Sequence, residues 1–392
     1  MHNLVKTSHC NQIDVVCHQR WHGVNRVKLP DCLWEMSENE QSSARDASMK
    51  FWRIVALIGL LGLCVLLVVS CKKEAPQSDL DHMHGSYVGT SEGNFSIRYR
   101  PKWPAQAQFA GIYMALQKGF YAQYGLDVEI QDVIHSTEVL DSLFAKKSDI
   151  AHLDLLQALE VNRDSTEVVN IGQIAQKSPV LLVGKKSNGI NSVEDFKGKK
   201  LGLWRNGSYH VTELFILGNK LDMDIVEIDW SISLFTQDAV DVINTMKYNE
   251  YHQLLQAGID EDDLFVADLS ELGFNIPDEG FYVSKEFFEE HPEECRAFVK
   301  ATMDGWFYAF SHPEETLEVV LEYTRKENVR ANKAHQRWML EQMKEVVMPS
   351  AAQMGVLKRE DFMHALKLLQ DYKDFPRNIA YEEFYPDAIQ KR

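Results

Sequence analysis

Hydrophobic positions along this chain fall into three regimes: one nearly unbroken apolar run, a stretch of short apolar segments, and a helical tail. The unbroken run is Ile54 to Val69. After it, Ser96–Arg100 reads as a strand and 105–124 as a helix, with Phe109, Ile112, Tyr113, Leu116 and Phe120 on one face at 3.6 spacing. Gly125 stops that helix, and Leu126, Val128 and Ile130 alternate as a second strand. Ser136 or Thr137 caps a helix to about Lys146, and strands follow at Ile150–Leu153, Val168–Ile174 and Val180–Val183. Leu201–Trp204 opens a second α/β unit, with a helix near Tyr209–Leu217 and strands at Val226–Asp229 and Val240–Thr245. Gly280–Val283 returns to the first unit, and helices close the chain over 293–310, 314–326, 333–346 and 359–372. His291-Pro292-Glu293-Glu294 and His312-Pro313-Glu314-Glu315 mark two helix starts, with Pro in the first turn and acids against the dipole.

Strands alternating with helices imply mainly parallel sheets. The two crossings predict an α/β fold of two lobes, 95–185 with 281–392 and 186–280, joined by a hinge. In such folds small molecules sit beyond the carboxyl ends of strands and in clefts between lobes.

The unbroken run has the anatomy of an export segment. Lys50 and Arg53 precede it, and Ser70-Cys71 ends it before Lys72-Lys73. At about 17 residues it is at the low end for spanning a bilayer. It resembles a bacterial lipoprotein signal (49–71) in which Cys71 is lipidated; an ordinary membrane anchor is the alternative. Residues 72–94, rich in Lys, Glu, Pro, Ser, Asp and Gly, read as a flexible tether. An export signal is poorly placed 50 residues into a chain, so Met49 is read as the start and 1–48 as a mis-called extension. Cys10, Cys17 and Cys32 within it lack zinc-site spacing.

Composition narrows the function classes. The net charge of −17 argues against a nucleic-acid partner. Past Cys71 the remaining cysteine is Cys295, on the apolar face of a predicted helix, so it reads as a buried small hydrophobe. No intramolecular disulfide, metal-ligand cluster or cofactor motif stands out there, and no Walker-type ATPase motif occurs. His82 and His84 read as linker.

Candidate recognition residues cluster at strand ends. Trp103 to Gly111 joins the first strand to its helix, so Trp103 is either a flat stacking surface or core, while Phe109 reads as core. Gln106 and Gln108 offer amide hydrogen bonds. Tyr248-Asn249-Glu250-Tyr251 follows the strand Val240–Thr245. A carboxylate flanked by aromatics suits an amino-substituted heterocycle, whose ring stacks and whose amine donates; a surface helix start capped by Asn249 is the alternative. Gln176 and Trp204 lie in polar turns near the lobe crossings, where cleft edges belong.

These words resemble the thiamine-pyrimidine-precursor-binding group of ABC transporter solute-binding proteins. The match runs in order through Trp103–Gly111, Ala115–Tyr121, Gly125–Val128, Gln176–Pro179, Asp195–Trp204, Tyr248–Tyr251, Gly305–Ala309 and His312–Glu315. It departs at Val133–Thr137 and at Lys147-Ser148, both on the first-lobe wall. The resemblance implies a type II periplasmic-binding fold and a non-catalytic, periplasmic, membrane-tethered receptor. That receptor would deliver its ligand to a permease driven by a separate ATPase. Its ligand would be a thiamine pyrimidine precursor; riboflavin or a small anion such as a sulfonate or nitrate is the alternative. Trp103, Tyr248, Asn249 and Glu250 are the implied cleft residues, followed by Gln176 and Trp204. Enzymes among the relatives make the pyrimidine with a cysteine-rich metal motif that this sequence lacks.

Overall fold

The computed structural model describes residues 93–133, 139–204, 209–229 and 231–390. All belong to one compact unit, Ser86–Arg392. Cys71, the apolar run, residues 1–48, most of the tether and the Ser136/Thr137 cap lie outside the described residues.

Two five-stranded sheets form the body. The first has the order β2 (Leu126–Ile130), β1 (Phe95–Arg100), β3 (Ile150–Asp154), β10 (Glu279–Ser284), β4 (Val168–Gln173). The second has the order β7 (Asp224–Ile228), β6 (Lys200–Trp204), β8 (Val242–Met246), β5 (Val180–Lys185), β9 (Leu264–Asp268). Both sheets are mixed rather than mainly parallel. β1 runs parallel to β2 and β3, and β6 to β7 and β8, but β10 and β5 are antiparallel to their neighbours. The reversed strands are the two that follow the crossings. Each enters its sheet from the other lobe and so runs against the local direction. β5, expected in the first lobe, pairs in the second sheet, so the first crossing comes before Val180.

The principal helices are α1 (Ala110–Gln117), α2 (Leu155–Val161), α3 (Tyr209–Asn219), α4 (Glu250–Gln256), α5 (Pro292–Ser311), α6 (Pro313–Lys326), α7 (Lys333–Val347) and α8 (Arg359–Lys373). Pro292 and Pro313 stand at helix starts with paired glutamates behind them, as expected. The helix expected over 105–124 is interrupted: Gly119 takes a left-handed φ of 70°, and a separate turn covers Phe120–Gln123. None of the helices among the described residues is long and apolar enough to cross a membrane.

The first-lobe core packs Tyr99, Phe281 and Phe298 together, with Tyr99 and Phe281 edge to face at 5.7 Å. Burying each such ring contributes about 1.5–3 kcal/mol. Phe109 is fully buried in this core. Cys295 is buried too, and burial raises its thiol pKa, which keeps it inert.

Candidate functional site

β1, β6 and β8 end at one place, where their parallel segments present their carboxyl ends to a common space. A cavity of about 180 Å³ lies there. The first lobe contributes Trp103, Gln106 and Gln108 from the segment after β1; the second contributes Trp204 from β6, Met246 from β8 and Tyr248, Asn249 and Glu250 from the turn into α4. Gln253 on α4, Val329 and Arg330 between α6 and α7, and His335 and Gln336 on α7 also line the cavity.

The aromatic groups are held by hydrogen bonds that leave little rotational freedom. The Trp204 indole donates from Nε1 to the Asn244 carbonyl at 2.8 Å, and Asn244 in turn donates to the Thr212 hydroxyl at 2.7 Å. Tyr248 is buried and its hydroxyl donates to Glu279 Oε1 at 3.4 Å. Burial pushes that hydroxyl well above its ordinary pKa, so it stays a donor. Gln108 also donates to Glu279 Oε1, and Gln106 donates to Gln108. Glu279 opens β10, so the strand returning to the first lobe anchors one side of the cavity.

Glu250 is the acid of the cavity. Its Oε2 accepts the Met246 backbone N–H at 2.9 Å and its Oε1 accepts the Asn249 amide at 2.8 Å. The side chain is only 9% exposed. Burial pushes its carboxyl up to about 7, against the pull of the Met246 N–H. The site therefore holds a carboxyl group whose charged form is poorly solvated. Asn249 fixes the surroundings: its Oδ1 accepts from Gln253 at 2.8 Å and from His335 Nε2 at 2.9 Å. With Nε2 donating, an uncharged His335 accepts at Nδ1, and His252 donates to it from its own Nδ1 at 2.8 Å. Burial, with His252 alongside, lowers His335 to about 4, and burial lowers His252 as well. His252 sits on α4 of the second lobe and His335 on α7, and His252 stacks on Trp338 at 4.6 Å. This neutral imidazole pair thus ties the lobes together at the edge of the cavity.

A stability signature follows from Glu250. An ordinary Glu titrates near 4.3, so between there and about 7 the folded protein binds a proton that the unfolded chain does not. Stability is therefore present at low pH and is lost as pH rises through 7. Glu250→Gln is expected to raise unfolding stability by about 1–3 kcal/mol at pH 8. The advantage should shrink toward pH 4.5. Urea unfolding at the two pH values measures it, and a gain independent of pH would contradict the burial of this charge.

Trp103, Trp204, Tyr248, Asn249 and Glu250 are thus brought together. Gln176 is not: it is buried at the first crossing, where its amide donates to the Gln173 carbonyl at 2.8 Å and the Val356 carbonyl at 3.1 Å. It fastens backbone, and its polar position after a strand has that cause. Sequence reasoning missed Met246, Gln253, Val329, Arg330, His335 and Gln336. His252 and His335 stand 83 residues apart, so no local spacing signals their pairing. Among the described residues no group of three or more His, Cys, Asp or Glu side chains is placed to hold a metal ion.

Comparison with known proteins bears on this arrangement. The chain is 22% identical over 271 residues to a riboflavin-binding protein of Chloroflexus aurantiacus, covering 67% of this chain and 76% of the relative. It is 24% identical over 294 residues to a formylaminopyrimidine-binding protein of Halalkalibacterium halodurans, covering 70% and 79%. It is also 23% identical over 226 residues to a 4-amino-5-hydroxymethyl-2-methylpyrimidine phosphate synthase of Legionella pneumophila, covering 56% and 70%. Its fold is that of the ligand-binding component of an ABC-type import system from Staphylococcus aureus, with a TM-score of 0.55, 12% identity, and coverage of 76% of this chain and 99% of that one. Residues 106–316 match the NMT1/THI5-like family. With the fold and the matched segment in agreement, this chain belongs to the NMT1/THI5-like family and has the two-lobed architecture of periplasmic binding proteins.

Proposed function

We propose that this chain is the solute-binding component of an ABC import system and that its ligand is a one-ring amino-heterocycle of the thiamine-pyrimidine-precursor class. The two lobes close on the ring, and a membrane permease with a separate ATPase receives it. On this reading Cys71 carries a lipid that holds the protein outside the cytosol, 72–94 is the tether, and the protein catalyses nothing.

One observation carries the reading. Both lobes contribute to a single cavity that combines the rings of Trp103, Trp204 and Tyr248 with one buried carboxylate, Glu250. The rings offer stacking surfaces. The carboxylate, desolvated by burial, gains from an incoming N–H. An apolar cavity of about 150 Å³ admits benzene, so about 180 Å³ is enough for one six-membered ring. The family also contains synthase-named relatives, but the desolvated acid and fixed amides are sufficient for recognition without turnover.

Calorimetry on the purified protein tests this. 4-Amino-5-hydroxymethyl-2-methylpyrimidine is expected to bind at micromolar concentration or below and to be recovered unchanged. Binding of riboflavin or an alkanesulfonate with no heat from the pyrimidine would overturn the ligand assignment. Chemical conversion of the pyrimidine would overturn the assignment as a receptor.

A further inference from the structure

The cavity is electrically two-ended. Glu250 is the carboxylate of its lining and Arg330 the guanidinium; His335, held near 4, is neutral. Glu250 is buried, whereas Arg330 is exposed at the outer edge.

The backbone under Arg330 is fixed. Asn328 takes a left-handed φ of 58° after α6, and the Val329 N–H donates to the Thr324 carbonyl at 2.8 Å. Asn332 caps α7 by accepting the Ala334 N–H at 2.9 Å. Glu327 accepts the Ala105 N–H at 2.8 Å, which clamps this segment onto the strand-end loop that carries Trp103. The neighbouring cations are already engaged: Lys333 with Glu318, Arg337 with Glu314, and Lys247 with Glu345 at 3.4 Å. Among the described residues no carboxylate pairs with Arg330, although the chain carries a net charge of −17. An exposed guanidinium on a fixed backbone, lining a cavity and with no carboxylate paired to it among the described residues of an acidic protein, is suited to a planar bidentate anion.

We propose that Arg330 receives an acidic substituent, a carboxylate or phosphate monoester, on the ligand whose amine reaches Glu250; this rests on the reading given under Proposed function. The ligand is then bipolar, with an amine toward the buried acid and an anion toward the rim. Arg330 discriminates such a compound from its neutral analogue, and it also raises the rate at which anions reach the mouth.

The test compares three 4-amino-2-methylpyrimidines carrying hydroxymethyl, carboxylate or phosphate monoester at position 5, titrated into the wild-type protein and into Arg330→Gln. At least one anionic form is expected to bind the wild type about tenfold more tightly than the hydroxymethyl form. That ratio should fall toward one in Arg330→Gln and shrink with added salt. Lys333→Gln, which removes a nearby cation outside the lining, is expected to keep the ratio. Which anion gains tells carboxylate from phosphate. Equal affinity of all three compounds for the wild type overturns the inference, as does a preference that survives in Arg330→Gln. Failure of all three to bind overturns the amino-heterocycle reading itself. Because Arg330 is exposed, the variant is expected to fold, and its unfolding midpoint verifies this.

Discussion

Glu250→Ala will weaken binding of a 4-aminopyrimidine by about 1.5–3 kcal/mol, a factor of roughly ten to 150. The magnitude is that of a hydrogen bond to a charged acceptor, and the site gives reasons for it. Glu250 is 9% exposed and accepts from the Met246 N–H and the Asn249 amide, yet burial still pushes its carboxyl up to about 7. An incoming amine supplies the stabilisation that burial withholds. The substitution also releases Asn249, whose amide otherwise orients Gln253 and His335. Glu250→Gln, which keeps the shape and loses the charge, should therefore fall between the wild type and Glu250→Ala. Loss of binding with a gain in stability at pH 8 separates a recognition role from a folding defect, since unfolding would move both in the same direction. Unchanged affinity in calorimetry at pH 8 for both variants would remove Glu250 from the site.

Gly305→Ala will destabilise the first lobe by about 3 kcal/mol or more, and Gly305→Val will prevent folding. A Cβ at 305 would stand 2.0 Å from the Gly111 carbonyl oxygen and 2.8 Å from the Ala115 Cβ. Across the same contact, a Cβ at Gly111 would meet the Trp306 ring at 2.3 Å. α5 and α1 thus cross backbone to backbone, and a methyl group has no flexible side chain to displace at 305. The crossing positions the start of α1 and the loop before it, which carries Trp103, Gln106 and Gln108. Urea unfolding monitored by tryptophan fluorescence gives the loss. A midpoint unchanged in Gly305→Ala would mean that the helices do not approach this closely.

Much of the fold was legible because its signals are local. Pro292 and Pro313 with their paired glutamates mark helix starts within a residue, and the alternation of Leu126, Val128 and Ile130 marks β2. Sheet membership is not local. Val180–Val183 reads as a strand in either lobe, and only its pairing with β8 and β9 assigns it to the second sheet. The same division separates the site residues. Trp103 and Tyr248-Asn249-Glu250 were legible because each follows a strand whose end faces the cavity. Gln176 follows a strand as well, but its side chain turns to the carbonyls of Gln173 and Val356, which sequence position does not encode. Arg330 and His335 line the cavity from a part of the chain that long-range bonds hold to the strand-end loop, Glu327 accepting from Ala105, 222 residues away in sequence, and Gln336 from Ala107.

The central claim is that both lobes close on one ring beside one acid. A crystal structure of the protein with a bound 4-aminopyrimidine tests it most directly. The ring should contact Trp103 from the first lobe and Trp204 or Tyr248 from the second, with its exocyclic nitrogen within about 3.2 Å of a Glu250 oxygen. A pyrimidine bound elsewhere, or in the cavity with Glu250 turned away from it, would contradict the account.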